Sequence, residues 1–195
     1  MVRVAKIIIF AYLAFALAET CSAAQRIVHL VAFGDSSTAG YLVTPSDAYP
    51  AQLQAVLRGK GYKVAIKNAG LNGDTTGGAL RRFASAIGKQ TQVAIVEFGT
   101  NDLHSGVPVE KMRANLDEIV LKLRKRNIEV LIIGFGPPLD FADIAYARSA
   151  LYTQWKVPPG QYRARDGVHY NAEGYSILVA QMLPNVEALL DRVAK

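Results

Sequence analysis

Four short blocks rich in glycine and small polar residues punctuate this 195-residue chain. They are Phe33-Gly34-Asp35-Ser36-Ser37, Asn68-Ala69-Gly70-Leu71-Asn72-Gly73-Asp74-Thr75, Phe98-Gly99-Thr100-Asn101-Asp102 and Asp166-Gly167-Val168-His169. Such residues are also ordinary turn formers, so one block alone says little. Together they hold what acyl transfer needs. A serine hydroxyl is a weak nucleophile until a base takes its proton, and histidine is the usual base. This assigns Ser36 as nucleophile and His169 as base. The base needs a third group to fix its tautomer and stabilise the imidazolium. Asp166 lies three residues before His169, so one compact turn brings its carboxylate to the other ring nitrogen.

The tetrahedral intermediate carries an oxyanion that requires preset donors. Ser36 offers its own N–H, Gly73 a backbone N–H with no side chain in the way, and Asn101 its side-chain amide. Gly70 competes with Gly73, and the spacing to Asp74-Thr75 favours Gly73. Ser37 falls one position beyond the motif, and Asp35 is read as structural, holding the loop backbone around Ser36. No G-x-S-x-G occurs, so the nucleophile elbow of α/β-hydrolases is absent.

The elements that must carry these groups alternate. Ile27–Phe33, Lys63–Lys67, Gln92–Phe98 and Ile128–Gly134 are Val/Ile-rich runs that predict strands. Between them, Ala48–Lys60, Thr75–Ile87 and Pro108–Asn127 have helical spacing. In the last, Val109, Met112, Leu116, Ile119, Val120 and Leu123 form one apolar stripe. Asp74 is expected to cap the second of these helices, and Asn171 a helix that follows His169. Apolar strands alternating with helices imply an α/β chain: a parallel sheet covered on both faces, hence a three-layer α/β/α sandwich. Ligands in such sheets bind outside the carboxyl ends of the strands, where at least three of the four blocks fall.

Other chemistry-capable residues have plainer readings. His29 lies inside the first strand and is expected to be packed or hydrogen-bonded there, and His104 to be exposed in its loop. Glu97 interrupts an apolar strand and is expected to pair locally rather than act as a second acid. Tyr152, Trp155 and Tyr162 either shape a pocket or pack the core.

The first 24 residues read as a signal peptide. Arg3 and Lys6 precede an apolar run from Ile7 to Ala18, and Ser22-Ala23-Ala24 supplies a small-residue cleavage site. A permanent membrane helix is the competing reading, but the run is shorter than the roughly 20 apolar residues needed to span. Residues 25–195 then form a single domain, periplasmic or secreted, with no stable membrane anchor and expected to be a monomer. Cys21 is the only cysteine and lies in the leader, so disulfides and thiol chemistry are excluded from the mature chain. Lys and Arg number 22 against 16 Asp and Glu, or 20 against 15 without the leader, too small a surplus to indicate nucleic acid.

Gly34-Asp35-Ser36, Gly73-Asp74-Thr75, Gly99-Thr100-Asn101-Asp102 and Asp166-Gly167-Val168-His169 resemble the four blocks of the SGNH (GDSL) hydrolase family. The likeness is nearest to its small bacterial acyl-thioesterase/lysophospholipase-like branch and runs from about Ile27 through the last helix. It implies a flavodoxin-like fold and a serine hydrolase that cleaves carboxylic esters, thioesters or lysolipids through an acyl-enzyme. It implies the catalytic set Ser36, Asp166 and His169, the oxyanion hole Ser36, Gly73 and Asn101, and no metal or organic cofactor. A polysaccharide O-acetyl esterase and a catalytically weak binding protein of the same fold are the alternatives. The family usually places a helix and a further strand before the Asp/His block, and here only 27 residues separate Pro138 from Asp166. Asp143–Tyr152 suits a helix, while Tyr152–Arg165 contains Pro158-Pro159-Gly160 and reads poorly as a strand, so a fifth strand is expected to be shortened or missing.

Overall fold

Two heavy atoms on Cβ make Val and Ile stiff and suit them to a pleated surface, which is why the Val/Ile runs become strands. The computed structural model describes residues 26–156 and 158–194. Its strands are β1 (Val28–Gly34), β2 (Val64–Gly70), β3 (Val93–Glu97), β4 (Glu129–Gly134) and β5 (Leu151–Gln154). They pair in parallel throughout, in the order β2-β1-β3-β4-β5. The helices are α1 (Ser36–Ala39), α2 (Tyr49–Gly59), α3 (Thr76–Ala86), α4 (Thr100–His104), α5 (Val109–Arg124), α6 (Ala142–Ala147) and α7 (Ala172–Val193). The leader expected over residues 1–24 lies outside the described residues. Among the described residues, no helix is long and apolar enough to cross a membrane.

Alternate strand residues point to opposite faces, and here both faces are apolar. Val31, Phe33, Val96 and Ile132 pack with Ala79 of α3 and Leu116, Ile119 and Leu123 of α5. Leu30, Ala32, Ile95 and Ile133 pack with Leu53 and Leu57 of α2 and Leu178, Met182 and Leu189 of α7. The sheet edges are occupied by side chains. On β2 the Ile66 N–H donates to Gln54 Oε1 at 2.8 Å. On β5 the Asn185 amide donates to Tyr152 O at 3.0 Å and Thr153 Oγ1 at 2.8 Å.

Two local expectations need correction, and a third is settled between its two alternatives. The helix expected over Asp143–Tyr152 ends at Ala147, because Ser149 takes a left-handed φ of 52° that stops it. The fifth strand is shortened to four residues rather than missing, and begins at Leu151, inside the segment expected to be helical. Thr75, not Asp74, caps α3: the Thr75 hydroxyl accepts the Gly78 N–H at 3.1 Å. Trp155 belongs to the core, nearly inaccessible and edge-on to Tyr49, Phe135 and Tyr170.

Candidate active site

At the end of β1 the neighbours pack so closely that residue 34 must be glycine: a Cβ there would run into Thr38 Oγ1 and the Glu97 carbonyl. Asp35 caps α1, its Oδ1 accepting the Ser37 N–H at 2.9 Å, and Ser36 becomes the first helical residue. This is the loop-holding task read for Asp35 from the sequence. The β2–α3 loop presents Gly73 to the cleft at a φ of 74°, with open space where a side chain would stand. Gly70 instead lies within β2, pressed against the Ala39 backbone. Among the described residues, neither the Ser36 nor the Gly73 N–H has a hydrogen-bond acceptor. Asn101, on α4, donates its amide to Asp35 Oδ2 and to the Asp74 carbonyl, both at 3.0 Å.

These three loops are tied together from below. Arg82 of α3 donates to Asp74 Oδ2 at 2.6 Å, Ala69 O at 2.8 Å and Gly34 O at 3.0 Å, so one guanidinium spans the ends of β1 and β2. Asp102 of α4 accepts the Thr76 N–H at 2.9 Å and the Thr76 hydroxyl at 2.6 Å, which joins α4 to the start of α3.

The fourth block approaches from the loop before α7. His169 Nε2 lies 2.8 Å from Ser36 Oγ, and His169 Nδ1 lies 2.6 Å from Asp166 Oδ2. Asp166 Oδ1 also accepts the Val168 and His169 N–H groups, both at 3.0 Å. The hydrogen bond from His169, aided by those two N–H groups, brings the Asp166 carboxyl down to about 2. The loop is closed by Ala164 N–H to His169 O at 2.7 Å, and Asn171 caps α7 by accepting the Gly174 N–H. Arg163 donates to the Val168 carbonyl and stacks 4.6 Å over the Tyr170 ring. The Tyr41 ring sits 4.9 Å from that of His169.

Ser36, Gly73, Asn101 and His169 all line one open cleft of about 730 Å³. Its other walls come from residues for which sequence reading had no signal: Tyr41, Phe135, Leu139, Arg163 and Tyr170. His104 is exposed, as expected, yet it also lines the cleft, its Nδ1 bound to Thr100 O at 2.8 Å. Glu97 is fully buried and pairs locally with Thr38 Oγ1 at 2.9 Å. No group of three or more His, Cys, Asp or Glu with metal-holding geometry occurs among the described residues.

Comparison with known proteins places this chain among enzymes. Residues 32–157 match the GDSL-like lipase/acylhydrolase family. An arylesterase of Vibrio mimicus is 26% identical over 142 residues, which cover 72% of this chain and 68% of that protein. Thioesterase 1/protease 1/lysophospholipase L1 of Escherichia coli K12 is 26% identical over 179 residues, covering 83% and 85%. The crystal structure of AlinE4, an SGNH-hydrolase family esterase, superposes with a TM-score of 0.64 at 31% identity, covering 84% of this chain and 96% of that one. The chain belongs to the GDSL-like lipase/acylhydrolase family and is a hydrolase of ester bonds.

Proposed function

We propose that Ser36 attacks the carbonyl of an ester or thioester and carries the acyl group until water releases it. The observation that carries this reading is the unbroken chain from Ser36 Oγ through His169 to Asp166, at 2.8 and 2.6 Å. An ionised Asp166 accepts only, so the Nδ1 facing it holds the proton and Nε2 is left as the base. His169 takes the serine proton during attack, returns it to the leaving group, and repeats the exchange with water. The unpartnered N–H groups of Ser36 and Gly73 support their assignment as oxyanion donors. Asn101 completes the hole by giving up its hydrogen bond to the Asp74 carbonyl as charge develops on the substrate oxygen.

Tyr41, Phe135, Leu139 and Val168 give the cleft an apolar wall suited to an acyl chain, and the names of the relatives fit esters, thioesters and lysolipids as substrates. The 2.8 Å approach of His169 to Ser36 supports this reading over a weakly active binding protein, which the short segment before Asp166 had suggested. The chain acts in the periplasm or outside the cell after cleavage near Ala24.

The test is covalent labelling by a fluorophosphonate. The wild-type chain should be modified and Ser36→Ala should not; equal labelling of both would sink the nucleophile assignment. Rates on acetyl, butyryl, octanoyl and palmitoyl esters, with an acetylated glycan alongside, then define the acyl group.

A further inference from the structure

Beneath the nucleophile lies a pair of carboxyls that the proposed acyl transfer does not use. The parallel register sets Gly34 of β1 beside Glu97 of β3, and this brings Asp35 over Glu97 under the Ser36 turn. Both acids are at most 1% exposed. Bare carboxylates there lose hydration that only hydrogen bonds or a cation can replace. Glu97 Oε2 accepts from Thr38, but Oε1 is buried with no donor among the described residues. Asp35 already receives Ser37 N–H on one oxygen and the Asn101 amide on the other.

No cation among the described residues is ion-paired with either acid; Arg82 is committed to Asp74. The titratable groups packed around the pair are Tyr49 of α2, Tyr170 of the loop before α7 and Tyr175 in the first turn of α7, with Asp74 and His169 beyond. Asp35 directly follows Gly34, which pairs with Glu97, so the two acids are neighbours and the Asp35 charge raises the proton affinity of Glu97. Two facing acceptors repel; one proton between them turns the clash into a hydrogen bond and fills the empty Oε1.

We propose that Glu97 and Asp35 share one proton at neutral pH, held on Glu97, and that Glu97 thereby acts as a positioning residue for the Asn101 amide. The hydrogen bond from Glu97 steadies Asp35 and draws off part of its charge. Asp35 then holds one amide hydrogen of Asn101 while the other, on the Asp74 carbonyl, is free to transfer to an oxyanion. Burial pushes Glu97 well above the usual carboxylate range and Asp35 up to about 6, in keeping with one proton on the pair at neutral pH. The positioning role rests on Asn101 as an oxyanion donor; the proton itself does not.

Two variants separate the parts. Glu97→Gln can donate to Asp35 and accept from Thr38 at every pH, while Glu97→Leu fills the space and does neither. With p-nitrophenyl butyrate, Glu97→Leu should lower kcat about 10- to 100-fold with KM within about twofold, and Glu97→Gln should recover most of that loss. Wild-type kcat should fall at alkaline pH as the shared proton leaves, a limb that Glu97→Gln should lack.

Melting temperature tests the proton without any substrate. The folded-state proton affinity of Glu97 exceeds the unfolded one, so its stabilisation is full below the ordinary carboxylate range and lost as pH rises through the raised value. The Glu97→Gln melting temperature should therefore gain on wild type as pH rises, whether or not Glu97→Leu folds. A melting difference that does not change with pH overturns the shared proton. Equal kcat losses in the two variants overturn the positioning role. Absence of ester turnover in the wild-type chain would instead sink the esterase reading on which that role rests.

Discussion

The two halves of the site are built by different means. Ser36, Gly73 and Asn101 follow the carboxyl ends of three adjacent strands, β1, β2 and β3, cross-linked from below by Arg82, Asp102 and the Asp35 carboxylate. Asp166 and His169 stand on an irregular loop between the short 3₁₀ turn Gly160–Tyr162 and α7, held by bonds within the loop itself. The strand-end half draws its order from burial. The other draws it from local geometry, and a short fifth strand is enough because it delivers the chain to that loop rather than positioning His169 itself. A stiff scaffold keeps the proposed oxyanion donors close to where charge will appear, so that Asn101 need only exchange one acceptor, whereas the proposed base works through a hydrogen-bonded chain that its own loop can hold.

The comparison can be broken most severely at Ser36. Ser36→Ala should lower turnover by about 10⁴- to 10⁶-fold, measured as kcat on a short-chain ester, because attack and acyl transfer vanish together. Asn101→Ala comes next, with a loss of roughly 100- to 1000-fold in kcat and, because it strips a donor from the buried Asp35 carboxylate, a stability loss of about 1–3 kcal/mol. Arg82→Met tests the buried scaffold. It strands the nearly buried Asp74 charge and frees two carbonyls, so a urea melt should show a loss of about 3 kcal/mol. Arg163→Met tests the loop: it removes the bond to the Val168 carbonyl at an exposed position, so kcat should fall by about tenfold while stability changes by under about 1 kcal/mol. Equal stability losses for Arg82→Met and Arg163→Met would abolish the proposed division between the halves.

What was legible in the chain follows the same line. The four blocks could be read because turns at strand ends need glycine and small polar residues in a local order, and the Val/Ile runs announced the first four strands. Arg82 could not be read: its three partners lie 8, 13 and 48 residues away, and nothing in helical spacing marks a residue that faces loops. Phe135 and Leu139 were hidden for a similar reason, being apolar residues that a cleft uses and a core uses equally well. A shortened fifth strand was expected, but its start could not be placed, because four residues, Leu-Tyr-Thr-Gln, carry too little pattern to compete with the helix-like stretch before them. Gly70 and Gly73 show the limit in miniature. Both are glycines in one block, and only packing reveals that the first makes room for a helix backbone while the second faces the cleft.

The amides of Gln54 and Asn185 at the two sheet margins bear on how this chain survives its own assembly. An uncovered outer strand is a template on which another polypeptide can add, and a parallel sheet is slow to complete. With one side chain seated on the β2 margin and another on the β5 margin, the finished sheet resists lengthening by a neighbour at those points. Both stoppers sit on helices, α2 and α7, that dock on the same face. Closing that layer therefore completes the core and seals the margins together, leaving a newly folded chain little time as a seed for aggregation.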